Sequence, residues 1–563
     1  MRKSVKTSGL ALLCLALALA GCSGGNNNKG NGASAVPSGS AAAGDGDIAA
    51  PAGEFPIVAE KTTLKVMVMG DANVESFEDN EFTRWYEEKT NVHVEWEVVP
   101  PSNALDKLNL TLTSGNLPDV IMNFNVPAAQ QAIYGQEGVF VELTDLIEKF
   151  GTETKKMFAS DPLIKQIATA PDGKIYALPY VSDCYHCTVI QKLWIYTPWL
   201  EKLALDMPTT TEEFHHVLKA FKEQDPNGNG KADEIPFAGS IATPGNNIDN
   251  FVMNAFIYDN ITHDNFGLLL KDGKIDAAFN KPEWKEGLLY LHQLYADGLI
   301  APESLTMDNS QLKQLGENPD VPLLGVVSGL HMGNFTQFYG ESGRWLEYKA
   351  IPPLKGPQGV QIASNTPYTA VSGRYIITNA AKHPDVAMRW ADAFYTQEVL
   401  LNGKYGREGI EWSKADADQM GIDGKPALFQ ALTPTSGAQK IHWYNSFPMN
   451  ETNEFRLGWA VTDPDSVEPI LYAETQKYEA FKNPNEDVIP PLYFTTEQSN
   501  EIANLKSTID GQVREMNARF ILGDAKLDSE WDAYVERLNS MNLKRMLEIY
   551  QEAYDTMKRN QAG

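Results

Sequence analysis

The chain has 563 residues, of which 43% are hydrophobic, 21% charged and 10% aromatic. That composition suits a soluble globular protein with more than one core, and it excludes a chain that is disordered throughout. Lys and Arg number 47 against 74 Asp and Glu, a formal net charge of −27, which argues against a nucleic-acid partner and against adsorption to anionic lipid headgroups.

Residues 1–21 read as a signal peptide. Arg2, Lys3 and Lys6 form a basic start, and residues 10–20 form an apolar run shorter than the roughly 20 residues that span a bilayer. The run ends in Leu19-Ala20-Gly21-Cys22, which resembles the lipobox of bacterial lipoproteins, with Cys22 acylated as the first mature residue. Cleavage removes three positive charges and no acid, taking −27 to −30. Residues 22–60 are expected to be the acylated Cys and a flexible linker, since their first thirty or so residues are mostly Gly, Ser, Asn and Ala. The expected location is extracytoplasmic, lipid-anchored to the outer face of the bacterial cell membrane.

The globular part opens with a strand-like run from Leu64 to Met69. A helix over about 80–89 carries Phe82, Trp85 and Tyr86, and residues 92–98 alternate as a second strand. Leu105, Leu108 and Leu112 mark another helix, and a strand follows at 119–122. This order implies an α/β lobe with a largely parallel sheet, whose ligands lie beyond the carboxyl ends of the strands. Asn123 and Asn125 fall there, although turn chemistry explains such residues as readily. A strand leaves the lobe at Pro179-Tyr180, and Pro352-Pro353 marks a second crossing. Near the C-terminus, Trp531, Tyr534, Val535 and Leu538 form a core-facing helical stripe, and Leu543, Met546, Leu547, Tyr550 and Tyr554 form another.

Residues 225–236 carry the most distinctive chemistry. Asp225, Asn227, Asn229 and Asp233 place side-chain oxygens at positions one, three, five and nine of a calcium loop. Gly230 falls at the sharp turn, and Lys231 would offer its backbone carbonyl. Position twelve is Pro236 instead of Glu, so Glu234 is the candidate for the bidentate carboxylate. Structural Ca²⁺ is expected, with a plain Asn/Gly/Asp turn as the competing reading. A helix precedes the loop, with Thr210 and Glu213 as a capping box and Phe214, Val217, Leu218 and Phe221 as its buried stripe. Cys184 and Cys187 read first as a local disulfide, then as free thiols, and last as a metal or redox site.

Several features in order resemble the extracellular solute-binding lipoproteins of ABC transporters, family 1, and in particular the large alginate-oligosaccharide-binding type. They are the lipobox, the Gly115-Asn116-Leu117-Pro118-Asp119-Val120 run, the Leu178-Pro179-Tyr180 crossing, Trp194-Ile195, the 199–203 segment Trp-Leu-Glu-Lys-Leu, the calcium-like loop, the 405–412 segment and the 531–535 segment. The resemblance implies an α/β, two-lobed periplasmic-binding-protein-like fold with a hinge of crossing strands and a helical C-terminal extension. The expected lobes are residues 61–180 with about 352–398, and 181–351 with about 399–563. The implied function is capture of an oligosaccharide by hinge closure and its delivery to membrane permease subunits, by a monomer that catalyses nothing.

Sugars offer apolar faces and dense hydroxyls, so aromatic plates beside polar groups are the candidates. These are Tyr180, Trp194, Tyr196, Trp412 and Trp443, with Asn123 from the first lobe; for each Trp, core packing competes. Arg374 reads as the partner of a carboxylate or of an anionic ligand group. Two rival functions stand beside transport. A secreted glycoside hydrolase needs a carboxylate pair about 5–5.5 or 6.5–9.5 Å apart, and no pair is singled out. A module feeding a sensor kinase would look the same in sequence.

Overall fold

The computed structural model describes residues 47–562 except 242, 244, 261–264 and 434–436. The signal peptide, Cys22 and most of the expected linker lie outside the described residues. No helix among the described residues is long and apolar enough to cross a membrane.

The first lobe is built on a six-stranded sheet in the order Asn450–Glu451, Leu178–Ser182, Ala370–Ile377, Val120–Met122, Thr62–Met69, Val92–Val99. The last three strands run parallel, joined by the helices Glu81–Thr90 and Ala104–Ser114, as the apolar pattern predicts. Both sheet faces are covered. Val66, Val68, Val120, Met122, Tyr375 and Ile377 enter one core, while Met67, Ile121 and Ile376 enter a smaller core on the other side. That alternation is the period of two of a pleated strand, and burial on both faces is why these strands read as nearly unbroken apolar runs.

The second lobe has a four-stranded sheet in the order Tyr348–Ala350, Leu193–Tyr196, Leu324–Ser328, Ile235–Ala238. The strand Leu193–Tyr196 is antiparallel to its two neighbours, so the other three strands share one direction. The helices Thr496–Leu522, Leu527–Ser540 and Leu543–Ala562 pack Phe520, Trp531, Tyr534, Leu538, Met546 and Tyr550 into this lobe's core. The extension also reaches the first lobe, where the Tyr493 hydroxyl donates to the Ile167 carbonyl at 2.7 Å.

Three crossings join the lobes among the described residues: Ser182 to Leu193, Ala350 to Ala370, and Phe455 to Leu471. The lobe boundaries differ from those expected. Leu354 and Ala363 still pack in the second core, whereas Leu400, Trp412, Trp443, Met449 and Phe455 pack in the first. The cause is the short strand Asn450–Glu451, which pairs with Leu178–Ser182 and keeps the chain in the first sheet well beyond residue 398. The linker also ends earlier than residue 60. The amides of Ile48 and Ala49 donate to the Asp385 carboxylate, and Ile57 and Val58 are core residues.

Candidate functional site

In the first lobe, the carboxyl ends of the parallel strands lead to Gly70-Asp71 and to Asn123-Phe124-Asn125. In the second lobe, the strand Tyr348–Ala350 runs into a crossing, so the strands parallel to it, Leu324–Ser328 and Ile235–Ala238, also end on the hinge side. The carboxyl ends of both sheets therefore border one cleft, the usual ligand position for open α/β sheets.

The polar centre of the first lobe's rim is Arg374. It follows Gly373, which has φ +77° and lies where the register of Ala370–Ile377 against Leu178–Ser182 shifts. A Cβ on Gly373 would fall 2.2 Å from the Val126 carbonyl oxygen, so only glycine allows this close approach. The irregularity re-aims the next side chain, as a β-bulge does. The Arg374 guanidinium lies 4.1 Å from the Tyr180 ring centroid. It donates to Asn125 Oδ1 at 3.0 Å and to the Asn445 carbonyl at 3.1 Å. No carboxylate forms an ion pair with it among the described residues, contrary to the expected pairing. Burial lowers its pKa, and Tyr180 and Asp71 act in the opposite direction.

Tyr444, beside Asn445, has φ +54°, a left-handed backbone that is costly for an aromatic residue. Asn445 Oδ1 is buried without a hydrogen-bond partner. Strained backbone and an unpaired buried acceptor beside a cation and an aromatic ring are features of a recognition site.

Of the residues expected to bind ligand, Tyr180 belongs to this cluster. Asn123 stands at the strand end with φ +69°, but its amide is used internally, donating to the Met69 carbonyl at 2.8 Å. The other four are corrected by their burial. Trp194 is fully enclosed in the second lobe, its indole N–H donating to the Gly329 carbonyl at 2.9 Å. Tyr196 packs against Trp199 and Tyr348, and its hydroxyl donates to Glu347 at 2.7 Å. Trp412 donates to the Gly406 carbonyl at 2.8 Å and packs edge-on against Phe429. Trp443 donates to Thr83 Oγ1 at 2.8 Å inside a cage of Phe77, Phe82, Trp96 and Phe394. Each ring is a core plate whose polar end is satisfied by the fold. Tyr444 and Asn445, part of the aromatic–polar run 442–445 in the sequence, lie in this rim, and so does Asp71, whose only sequence signal is its position after the first strand.

The hinge segment after Tyr180 holds a second cluster. Cys184 and Cys187 are joined by a disulfide. Lys192 is completely buried and donates to the carbonyls of His186, at 2.8 Å, and Val189. Its burial lowers its pKa to about 7. Glu468 lies 3.6 Å from His186 and accepts a hydrogen bond from Arg456 at 2.9 Å.

The loop after the helix Thr211–Glu223 has the capping box expected at Thr210 and Glu213. Asp225, with φ +46°, accepts the amides of Gly228, Asn229 and Gly230. Asn227 Oδ1 accepts the Asn229 amide and Asn229 Oδ1 the Lys231 amide, so alternate side chains turn into the loop. Asp233 accepts hydrogen bonds from the Asn227 and Asn229 side-chain amides, which hold its pKa down. Glu234 closes the loop with a buried, unpartnered Oε2; burial raises its pKa, and Asp225 and Asp233 push it in the same direction. A concave set of hard oxygen donors with one buried carboxylate oxygen unsatisfied fits a divalent cation of the calcium type.

The model of the bacterial extracellular solute-binding protein family matches residues 71–400. Among curated proteins, the chain is similar to the fructooligosaccharide ABC transporter substrate-binding protein FusA of Streptococcus pneumoniae serotype 4. The two are 30% identical over 518 residues, 90% of this chain and 92% of the relative. The solved structure of the S. pneumoniae FusA protein in complex with kestose aligns with a TM-score of 0.68 at 28% identity, covering 88% of this chain and 100% of that one. A FusA EF-hand mutant in complex with fructo-nystose gives the same TM-score and coverage at 27% identity.

Proposed function

Because the chain belongs to the bacterial extracellular solute-binding protein family, we propose that it is the substrate-binding component of an ABC transporter. It captures an oligosaccharide between its lobes and hands it to membrane permease subunits. The observation that carries this reading is the 30% identity to the pneumococcal fructooligosaccharide-binding protein over nine-tenths of both chains. Fructooligosaccharides are therefore the foremost cargo. The protein makes and breaks no bond. Ligand binding selects the closed arrangement because both rims contact the sugar only there. On the first lobe, Tyr180 offers an apolar ring, and Arg374, Asp71 and Asn445 offer hydrogen-bonding groups.

Calcium is held by the side chains of Asp225, Asn227, Asn229, Asp233 and Glu234 and the carbonyl of Lys231. It neutralises the loop's carboxylates and staples the chain before the strand Ile235–Ala238. The body works as a monomer, tethered by lipid on Cys22 to the outer face of the cell membrane. The EF-hand of the similar FusA protein, whose mutant has been solved, and the fit of this loop support the calcium assignment.

The test is a thermal-shift screen of the mature protein with calcium against kestose, nystose and uronate oligosaccharides, followed by chromatography of the mixtures. Ligand at 100 times its Kd should stabilise the fold by about 2.7 kcal/mol. A shift with the fructose series and no product is expected. Sustained hydrolysis, or no shift with any sugar, overturns the proposal.

A further inference from the structure

The three crossings of the hinge meet on one short segment, residues 183–189. Asp183 ties the first crossing to the other two. The Thr369 hydroxyl, from the second crossing, donates to Asp183 Oδ1 at 2.6 Å. The Asn453 amide, where the chain enters the third, donates to Asp183 Oδ2 at 2.9 Å. A 3₁₀ turn over Tyr185–Thr188 follows, and its carbonyls hold other parts of the hinge. The Thr188 carbonyl accepts the Thr366 amide of the second crossing at 2.8 Å. The carbonyls of His186 and Val189 accept from the buried Lys192 ammonium. Glu468 of the third crossing lies beside the His186 ring.

The Cys184–Cys187 disulfide closes this turn. The turn's own backbone adds two hydrogen bonds, from the amides of Cys187 at 2.9 Å and Thr188 at 3.2 Å to the Cys184 carbonyl. So short a helical turn is marginal alone in water, because its first bonds must fix several residues. The disulfide removes the open arrangements of the loop it closes, so it presets the carbonyls that the second crossing and Lys192 use. Lys192 depends on them, since it makes no ion pair among the described residues and a buried ammonium without partners is costly.

The two sulfurs differ in access. Cys184 is 6% exposed, whereas Cys187 is only partly buried. We propose that Cys184–Cys187 is a thiol-exchange site that sets the stiffness of the hinge, and that a small dithiol reductant, by opening it, weakens sugar capture. One thiolate of the dithiol attacks Cys187 Sγ, the Cys184–Cys187 bond breaks, and Cys184 Sγ leaves and takes a proton, because burial disfavours a thiolate. The second thiolate then attacks the dithiol's own sulfur in the mixed disulfide and releases Cys187, which is also protonated. Two electrons and two protons pass from the dithiol to the protein, and the dithiol leaves as a disulfide. The ring nitrogens of His186 lie 3.8 and 3.9 Å from Cys187 Sγ, and burial lowers the pKa of that ring, which leaves a neutral acceptor for the new S–H. The effect on sugar rests on the transport reading; the effect on the hinge does not.

The test compares the full mature protein before and after dithiothreitol under native conditions, with alkylation of a sample and peptide mass spectrometry to locate the free thiols. Hydrogen exchange needs no sugar. Reduction should speed exchange of the amides of residues 183–193 and of Thr366 by about tenfold, with the strand Val120–Met122 unchanged. Calorimetry should show nystose bound at least about threefold more weakly, as the fraction of hinge in the competent arrangement falls, and reoxidation should restore it. The double variant Cys184→Ser, Cys187→Ser should match the reduced wild type and ignore dithiothreitol; if it does not fold, the reversible wild-type comparison decides alone. Cys184 and Cys187 that stay unlabelled after dithiothreitol overturn the proposal, and so does a reduced protein with unchanged exchange or unchanged affinity. If exchange responds but the oxidised protein binds neither kestose nor nystose, the cargo reading falls and the hinge site stands.

Discussion

The guanidinium of Arg374 stacks on the ring of Tyr180, 4.1 Å from its centroid, although the two residues come from antiparallel strands whose register slips at that point. A planar cation on an aromatic face is worth about 0.5–2 kcal/mol, and here it also fixes the direction of the remaining N–H groups. Arg374→Ala should weaken sugar binding by at least about tenfold. Arg374→Lys should recover little of it, because an ammonium neither stacks nor forks. Calorimetry on both variants checks this, and a lysine variant with wild-type affinity would show that charge alone matters.

The cation loop precedes the strand Ile235–Ala238 and so lies at the opposite end of that strand from the cleft. Removing the ion should therefore act on stability and not on recognition. With a chelator, the melting temperature should fall while the sugar Kd stays within about twofold, since the ion's contribution is a linkage term on the folded state. Asp225→Ala should lower the melting temperature and abolish its response to calcium. A large loss of affinity on chelation would contradict this assignment.

Trp443 and Trp194 show what the sequence could and could not convey. The strand and helix order, the capping box at Thr210 and Glu213, and the alternate oxygens of residues 225–234 depend on local spacing, and each is legible before any tertiary contact exists. Whether an indole faces a cleft or a core depends on partners more than a hundred residues away, such as Thr83 for Trp443 and Gly329 for Trp194. The same limit explains the misplaced lobe boundary, since two residues at Asn450–Glu451 pair with a strand more than 260 residues earlier and leave almost no local pattern. Arg374 stands out as a cation in the sequence, but that it forms no ion pair among the described residues and stacks on Tyr180 instead is a tertiary fact.

Trp443→Ala should accordingly act as a core deletion. Loss of a buried Trp from a packed aromatic cage costs about 3–5 kcal/mol. Urea unfolding should show that loss, while the fraction still folded should bind sugar as the wild type does. An affinity change without a stability change would return Trp443 to the binding site.

Lys192 gives the hinge a pH dependence whose sign can be worked out. Burial, with Lys482 as a smaller contributor, lowers its pKa in the folded protein from 10.5 to about 7. The unfolded chain keeps the ordinary value, so between these two points the unfolded state binds more protons than the folded state. Stability must then rise with pH across that window, by at most about 1.4 kcal/mol per pH unit from this group, and level off below it. Lys192→Met removes the titrating group while filling similar space, and gives up the hydrogen bonds to the His186 and Val189 carbonyls. The difference in unfolding free energy between wild type and variant, measured by urea at pH 6.5, 7.5 and 8.5, should therefore shift steadily in favour of the wild type as pH increases. A difference that stays flat over those three points would mean that the two carbonyls keep Lys192 charged throughout, and that burial at this hinge is offset by hydrogen bonding.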